Sequence, residues 1–78
     1  MSSFRTTRTY HVTLLANDES LSEFGVTLDS SELKVLGNKQ VKSDNRYLYE
    51  ITLTGKKADH NAFLEKLLQS RAVNELRY

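Results

Sequence analysis

"RYLYEITLTG", Arg46 to Gly55, is the stretch whose reading decides the fold. Successive side chains of a strand point to opposite faces, so Tyr47, Tyr49, Ile51 and Leu53 share one side and Leu48, Glu50, Thr52 and Thr54 the other. One face is aliphatic and aromatic and the other mostly polar, the signature of a half-buried strand. Ile51 and Leu53 need a cover, and Tyr47 and Tyr49 go in with them. An RNA-reading sheet has the reverse arrangement, with aromatics on its open face where bases can stack. Here the open face would show His11, Thr13, Leu48, Glu50 and Thr52, with a carboxylate at its centre.

The cover lies immediately downstream. Gly55 ends the strand, and "ADHNAFLEKLLQSR" (58–71) places Phe63, Leu64, Leu67 and Leu68 on one helical stripe while Glu65, Lys66 and Gln69 face away. Asp59 suits the positive end of this helix, as a cap or in its first turn, and Arg71 the negative end. Upstream, "LKVLGNKQVK" (33–42) reads as a strand distorted near Gly37-Asn38, and "SDN" (43–45) is turn chemistry that joins it to Arg46 as an antiparallel hairpin.

Further out, "RTYHVTLLA" (8–16) alternates Tyr10, Val12 and Leu14 against Thr9, His11 and Thr13. In "NDESLSEFGVTLDSSEL" (17–33), Ser20 and Glu23 have the spacing of a capping box, and Asn17 and Asp18 also suit a helix start. Leu21, Phe24 and Leu28 recur at helical spacing, but Gly25, Val26 and Thr27 weaken the helix, so a short or irregular one is expected. "AVNELRY" (72–78) closes the chain as a last strand. The order strand, helix, strand, strand, helix, strand is that of the α+β ferredoxin-like βαββαβ fold, a four-stranded antiparallel sheet with two helices on one face. Residues 1–8 are expected to form a flexible arm or linker end, and 9–78 a single domain.

Composition narrows the function. A chain of 78 residues supports one domain with little room for a deep cavity, which disfavours an enzyme. Its 11 basic and 10 acidic side chains are interspersed, so no footprint for nucleic acid stands out, and Lys39, Lys42, Arg46, Lys56 and Lys57, with Asp44 and Glu50 among them, read as a solvated surface. Without cysteine there are no disulfides, thiolate metal sites or cysteine nucleophiles. No apolar run spans a bilayer, and the N-terminus has no secretory signal.

Reactive constellations are equally sparse. His11 is expected on the open face opposite Glu50, as a surface histidine. His60, beside Asp59 in a first helical turn, makes no two-ligand metal site with it, because adjacent helical residues diverge. Glu19 and Glu23 could share a face and attract Mg²⁺ or Ca²⁺ weakly, but the helix start already accounts for Asp18 and Glu19. No Ser-His-Asp spacing, nucleophile elbow or phosphate-cradling glycine loop is present. No catalytic, cofactor-binding or metal-binding residue is therefore assigned, and no cofactor is expected.

One family resemblance stands beside this reading. "TYHVTLL" (9–15) and "YEITLTGKKADHNAFLEKLLQSRAVNELRY" (49–78) resemble the C-terminal cytoplasmic domain of the MgtC/SapB family of inner-membrane proteins associated with magnesium limitation. The points of likeness are the entry strand, the Asp-containing helix start, the leucine-rich helix, and Val73, Leu76 and Tyr78 in the closing strand. The resemblance implies the ACT-like version of the fold. It also implies a non-catalytic regulatory or interaction domain, facing the cytoplasm from a membrane-embedded parent and pairing with itself or another protein through a sheet edge. The alternative is an ACT-type sensor of an amino acid or a divalent cation. The glycine usual in the ACT ligand loop is replaced by "ANDES" (16–20), so no ligand residues carry over, and no ligand cluster supports Mg²⁺.

Overall fold

The computed structural model describes residues 4–78, so the first three positions of the expected arm lie outside the described residues. The elements are β1 (Thr6–Leu15), α1 (Asp18–Asp29), β2 (Lys34–Ser43), β3 (Arg46–Gly55), α2 (Lys57–Gln69) and β4 (Val73–Arg77). All strands pair antiparallel in the order β2-β3-β1-β4, the topology expected from the sequence. β1 begins earlier than the polar composition of the N-terminus implies: Thr6, Thr7 and Arg8, expected in an arm, pair with Gly55, Thr54 and Leu53. β3 is long enough to template them, and the Thr7 hydroxyl donates to Thr54 Oγ1 at 3.1 Å.

The core lies between the sheet and the helices. Tyr10, Val12 and Leu14 of β1 meet Ile51 and Leu53 of β3, Phe24 of α1, and Phe63 and Leu67 of α2, all buried. Tyr10 packs edge-on against Phe63 with ring centroids 5.3 Å apart, and Tyr49 lies 5.1 Å from Phe24. The alternation read in "RYLYEITLTG" therefore holds, and its tyrosines face the helices.

Both helices depart from expectation in detail. α1 is a regular helix of 12 residues, not a short or irregular one. Thr27 settles its hydroxyl on the Glu23 carbonyl at 3.0 Å, and the Phe24 anchor supplies the packing that propensity alone lacks. The expected Ser20–Glu23 capping box does not form. Asn17 is the cap, its Oδ1 accepting the Ser20 N–H at 2.8 Å, while the Glu23 carboxylate accepts from the Ser70 hydroxyl at 2.8 Å and ties α1 to the loop after α2. In α2 the buried stripe is His60, Phe63 and Leu67; Leu68, one step of about 100° further round, points outward and is 69% exposed.

The β2–β3 hairpin turns at Asp44, whose φ of 56° is the left-handed conformation that Asp tolerates. The expected distortion of β2 is a register shift between Val35 and Gly37, which makes Leu36 the extra residue of a bulge. Gly55 lies against Leu33, where a Cβ would sit 2.6 Å from Leu33 Cδ2. The long hairpin gives the molecule extents of 47 × 21 × 18 Å. Among the described residues no helix is long and apolar enough to cross a membrane.

Candidate functional site

Register assigns the open face of the sheet row by row. Lys39, Glu50, His11 and Arg77 lie side by side across β2, β3, β1 and β4, and Val41, Leu48, Thr13 and Glu75 form the next row. Beyond them the Thr9 and Thr52 hydroxyls bond each other at 2.9 Å. His11 and Glu50 are opposed in register as expected, but they make no hydrogen bond. The Glu50 carboxylate instead approaches Lys39 Nζ at 3.8 Å, a solvent-screened pair of small energetic value.

The same rows line a shallow groove of about 700 Å³, bounded by the 43–46 turn and including His11, Thr13, Val41, Leu48, Glu50 and Arg77. Among the described residues none of the groove's titratable side chains hydrogen-bonds another, and Lys39 and Glu50 are its closest charged pair at 3.8 Å. A smaller cavity of about 240 Å³ lies at the β1–α1 junction, against Asn17, Glu19, Ser20, Glu23 and Arg71. Its polar groups are partly spoken for: the Ser20 N–H by Asn17 and the Glu23 carboxylate by Ser70. Among the described residues no three His, Asp or Glu side chains gather as metal ligands.

The most heavily bonded histidine was placed by sequence only in a first helical turn. His60 is fully buried, with Nε2 2.6 Å from the Thr6 carbonyl and Nδ1 2.7 Å from the Tyr10 hydroxyl. The carbonyl can only accept, so in the neutral ring Nε2 carries the proton and Nδ1 receives the hydroxyl. Burial holds the Tyr10 phenol above its ordinary value, against a lowering influence of Arg8. Tyr49 is raised in the same direction by burial and by Tyr47. The His60 site is structural: it bolts the first turn of α2 to the start of β1. The clue in the sequence was its spacing, three before Phe63 and seven before Leu67.

The remaining feature is the pair of sheet edges. β2 and β4 are the outer strands, each bonded on one side only among the described residues. β2 is exposed at all ten positions, including Val35, Leu36 and Val41 at 44%, 55% and 60%. Its helix-side positions Asn38, Gln40 and Lys42 are polar, which leaves the helices nothing to cover there.

No family model and no curated protein matches the sequence. Solved structures do match the fold. The ACT domain of the GTP pyrophosphokinase of Chlorobium tepidum superposes with a TM-score of 0.81 at 7% identity, covering 95% of this chain and 97% of that one. A homoserine dehydrogenase from Thiobacillus denitrificans matches at 0.63 and 16% identity over 92% of this chain, which spans 17% of the enzyme. The C-terminal domain of the MgtC protein from Mycobacterium tuberculosis matches at 0.60 and 12% identity, covering 88% of this chain and 82% of that one. At these identities the likeness carries the architecture, and the resemblance to the MgtC/SapB C-terminal domain fits it: the chain has the ACT-like version of the ferredoxin-like fold.

Proposed function

We propose that this chain is a non-catalytic regulatory or interaction domain that works by pairing strands at its sheet edges. Its parent would be an inner-membrane protein concerned with magnesium limitation, with this domain on the cytoplasmic side. The observation that carries the reading is the bare outer pair of strands, since an unpaired edge is a template for another strand. The likeness to the MgtC C-terminal domain supports the parentage.

The β4 edge has the charges for self-pairing. Glu75 and Arg77 share the open face, so an antiparallel pair centred on Leu76 sets Glu75 of each copy against Arg77 of the other. Sedimentation velocity from micromolar to millimolar protein is expected to show a concentration-dependent dimer. Glu75→Arg weakens it, and the swap Glu75→Arg with Arg77→Glu restores it. A strict monomer throughout that range refutes self-pairing. The junction cavity favours a second reading, the ACT-type sensor, and saturable amide shifts confined to residues 16–24 on adding Mg²⁺ or an amino acid would select it instead.

A further inference from the structure

The two edges differ in charge, and the difference points to different partners. β2 carries Lys34, Lys39 and Lys42 and no acidic residue. An antiparallel pair of two β2 strands would gather the lysines of both copies along one seam with no carboxylate on either strand, and like charges across a seam repel. Among the described residues the one ion-pair contact of Lys39 is a long, exposed one to Glu50. The bulge at Leu36 interrupts the edge and leaves Asn38 to Ser43 as its regular run. Within that run Lys39 and Val41 point to the open face, and Gln40 and Lys42 to the other.

We propose that this run takes an extended acidic peptide from another protein as a fifth strand. The proposal rests on the edge-pairing reading above and names the occupant of one edge. Such a strand needs a carboxylate opposite Lys39, an apolar residue opposite Val41, where it extends the small apolar patch with Leu48, and a second carboxylate opposite Lys42. A peptide fits better than nucleic acid for two reasons. The edge offers backbone donors and acceptors in alternation, which a phosphate chain cannot match, and Glu50 stands directly behind Lys39.

The test uses the capped hexapeptides Thr-Glu-Thr-Val-Glu-Thr and Thr-Glu-Val-Thr-Glu-Thr, which present the pattern in either strand direction, and their lysine-for-glutamate counterparts. Amide spectra of the ¹⁵N-labelled chain are expected to shift at residues 38–43 and along adjoining β3 with a glutamate peptide and not with a lysine one. The variant Lys39→Glu with Lys42→Glu should bind the glutamate peptide on the order of tenfold more weakly and take up the lysine peptide instead. Both side chains are exposed, so the variant keeps its fold, which its own amide spectrum checks. No shift at millimolar peptide, equal binding of both charge types, or stronger shifts of the same residues by an oligothymidylate would each overturn the proposal. Concentration-dependent shifts at 38–43 without peptide would place a second copy there, overturning this inference while leaving the edge-pairing reading intact. Absence of the β4 dimer alone would refute self-pairing at β4 and leave this inference intact.

Discussion

Removing the Tyr10 hydroxyl should destabilise the domain by more than its single atom implies. Tyr10 and His60 are both fully buried and joined at 2.7 Å, and the other imidazole nitrogen is committed to the Thr6 carbonyl. Tyr10→Phe therefore keeps the ring that packs on Phe63 and leaves Nδ1 an acceptor with no donor and no access to water. A buried polar group stripped of its partner costs about 1–3 kcal/mol. For a domain of this size each kcal/mol corresponds to roughly 4–8 °C in Tm. Urea unfolding should show the midpoint falling at unchanged slope, since the surface exposed on unfolding is the same. The cycle with His60→Phe then separates the pair from its surroundings. The double variant should be more stable than the sum of the two singles predicts, by about 1 kcal/mol, because the second change removes the group that the first one orphaned. His60→Phe should also speed amide exchange at residues 6–8, which Tyr10→Phe leaves nearly unchanged, because it is His60 and not Tyr10 that bonds the Thr6 carbonyl. A Tyr10→Phe protein within about 0.5 kcal/mol of the parent, the scatter of neutral surface changes, would refute this account of the site.

Four further outcomes are expected. Ile51→Ala, which empties a fully buried position, should lower unfolding free energy by about 2–5 kcal/mol, whereas Val41→Ala on the bare strand should stay within about 0.5 kcal/mol in the same urea titration. Asn17→Ala removes the cap on Ser20 N–H and should cost about 1 kcal/mol, with helix loss seen by circular dichroism. Gly55→Ala brings a methyl to 2.6 Å from Leu33 Cδ2, the end of a side chain that can turn aside while the Leu33 backbone stays at 3.6 Å, so it should cost less than about 1 kcal/mol in the same titration, and nothing in the background Leu33→Ala. The alkaline limb of stability follows from Tyr10 and Tyr49: a phenol whose folded pKa is raised contributes fully below its unfolded value of 10.0, and that contribution is lost as pH climbs through the folded one. Thermal melts should fall off above that pH, and less steeply in Tyr10→Phe.

The parts of this fold legible in the sequence are those where alternation and burial coincide. Tyr10, Val12, Leu14, Ile51 and Leu53 sit at every second position and are all in the core, so β1 and β3 could be oriented without coordinates. Leu68 misled because four apolar residues at 63, 64, 67 and 68 make a stripe broader than the sheet can cover, and packing chose the half of it that also takes in His60. Ser20 and Glu23 have capping-box spacing, but Asn17 reached the Ser20 N–H first and a partner 47 residues away claimed Glu23. Spacing rules are local and cannot see such a partner. The lysines of β2 looked scattered among acids because sequence neighbours such as Asp44 lie in the turn; only strand pairing shows that the strand itself carries one sign of charge.

The character of β2 follows from what it withholds from the core. A ten-residue strand joins the sheet through β3 alone, is exposed along its length, and places Asn38, Gln40 and Lys42 on the side where helices would otherwise rest. Apolar residues at those three positions would have drawn cover over the strand and closed its helix-side face. Polar ones leave β2 held by its backbone pairing to β3 and by open-face contacts such as Lys39 to Glu50. The lysines then act as a filter on what pairs next: they deter the copy of itself that every edge strand meets most often, and they leave the edge open to a chain of opposite charge. The bareness of β2 and its single sign of charge are thus two halves of one arrangement, because an uncovered edge with mixed charges would accept its own kind, and a basic strand beneath a helix would accept nothing.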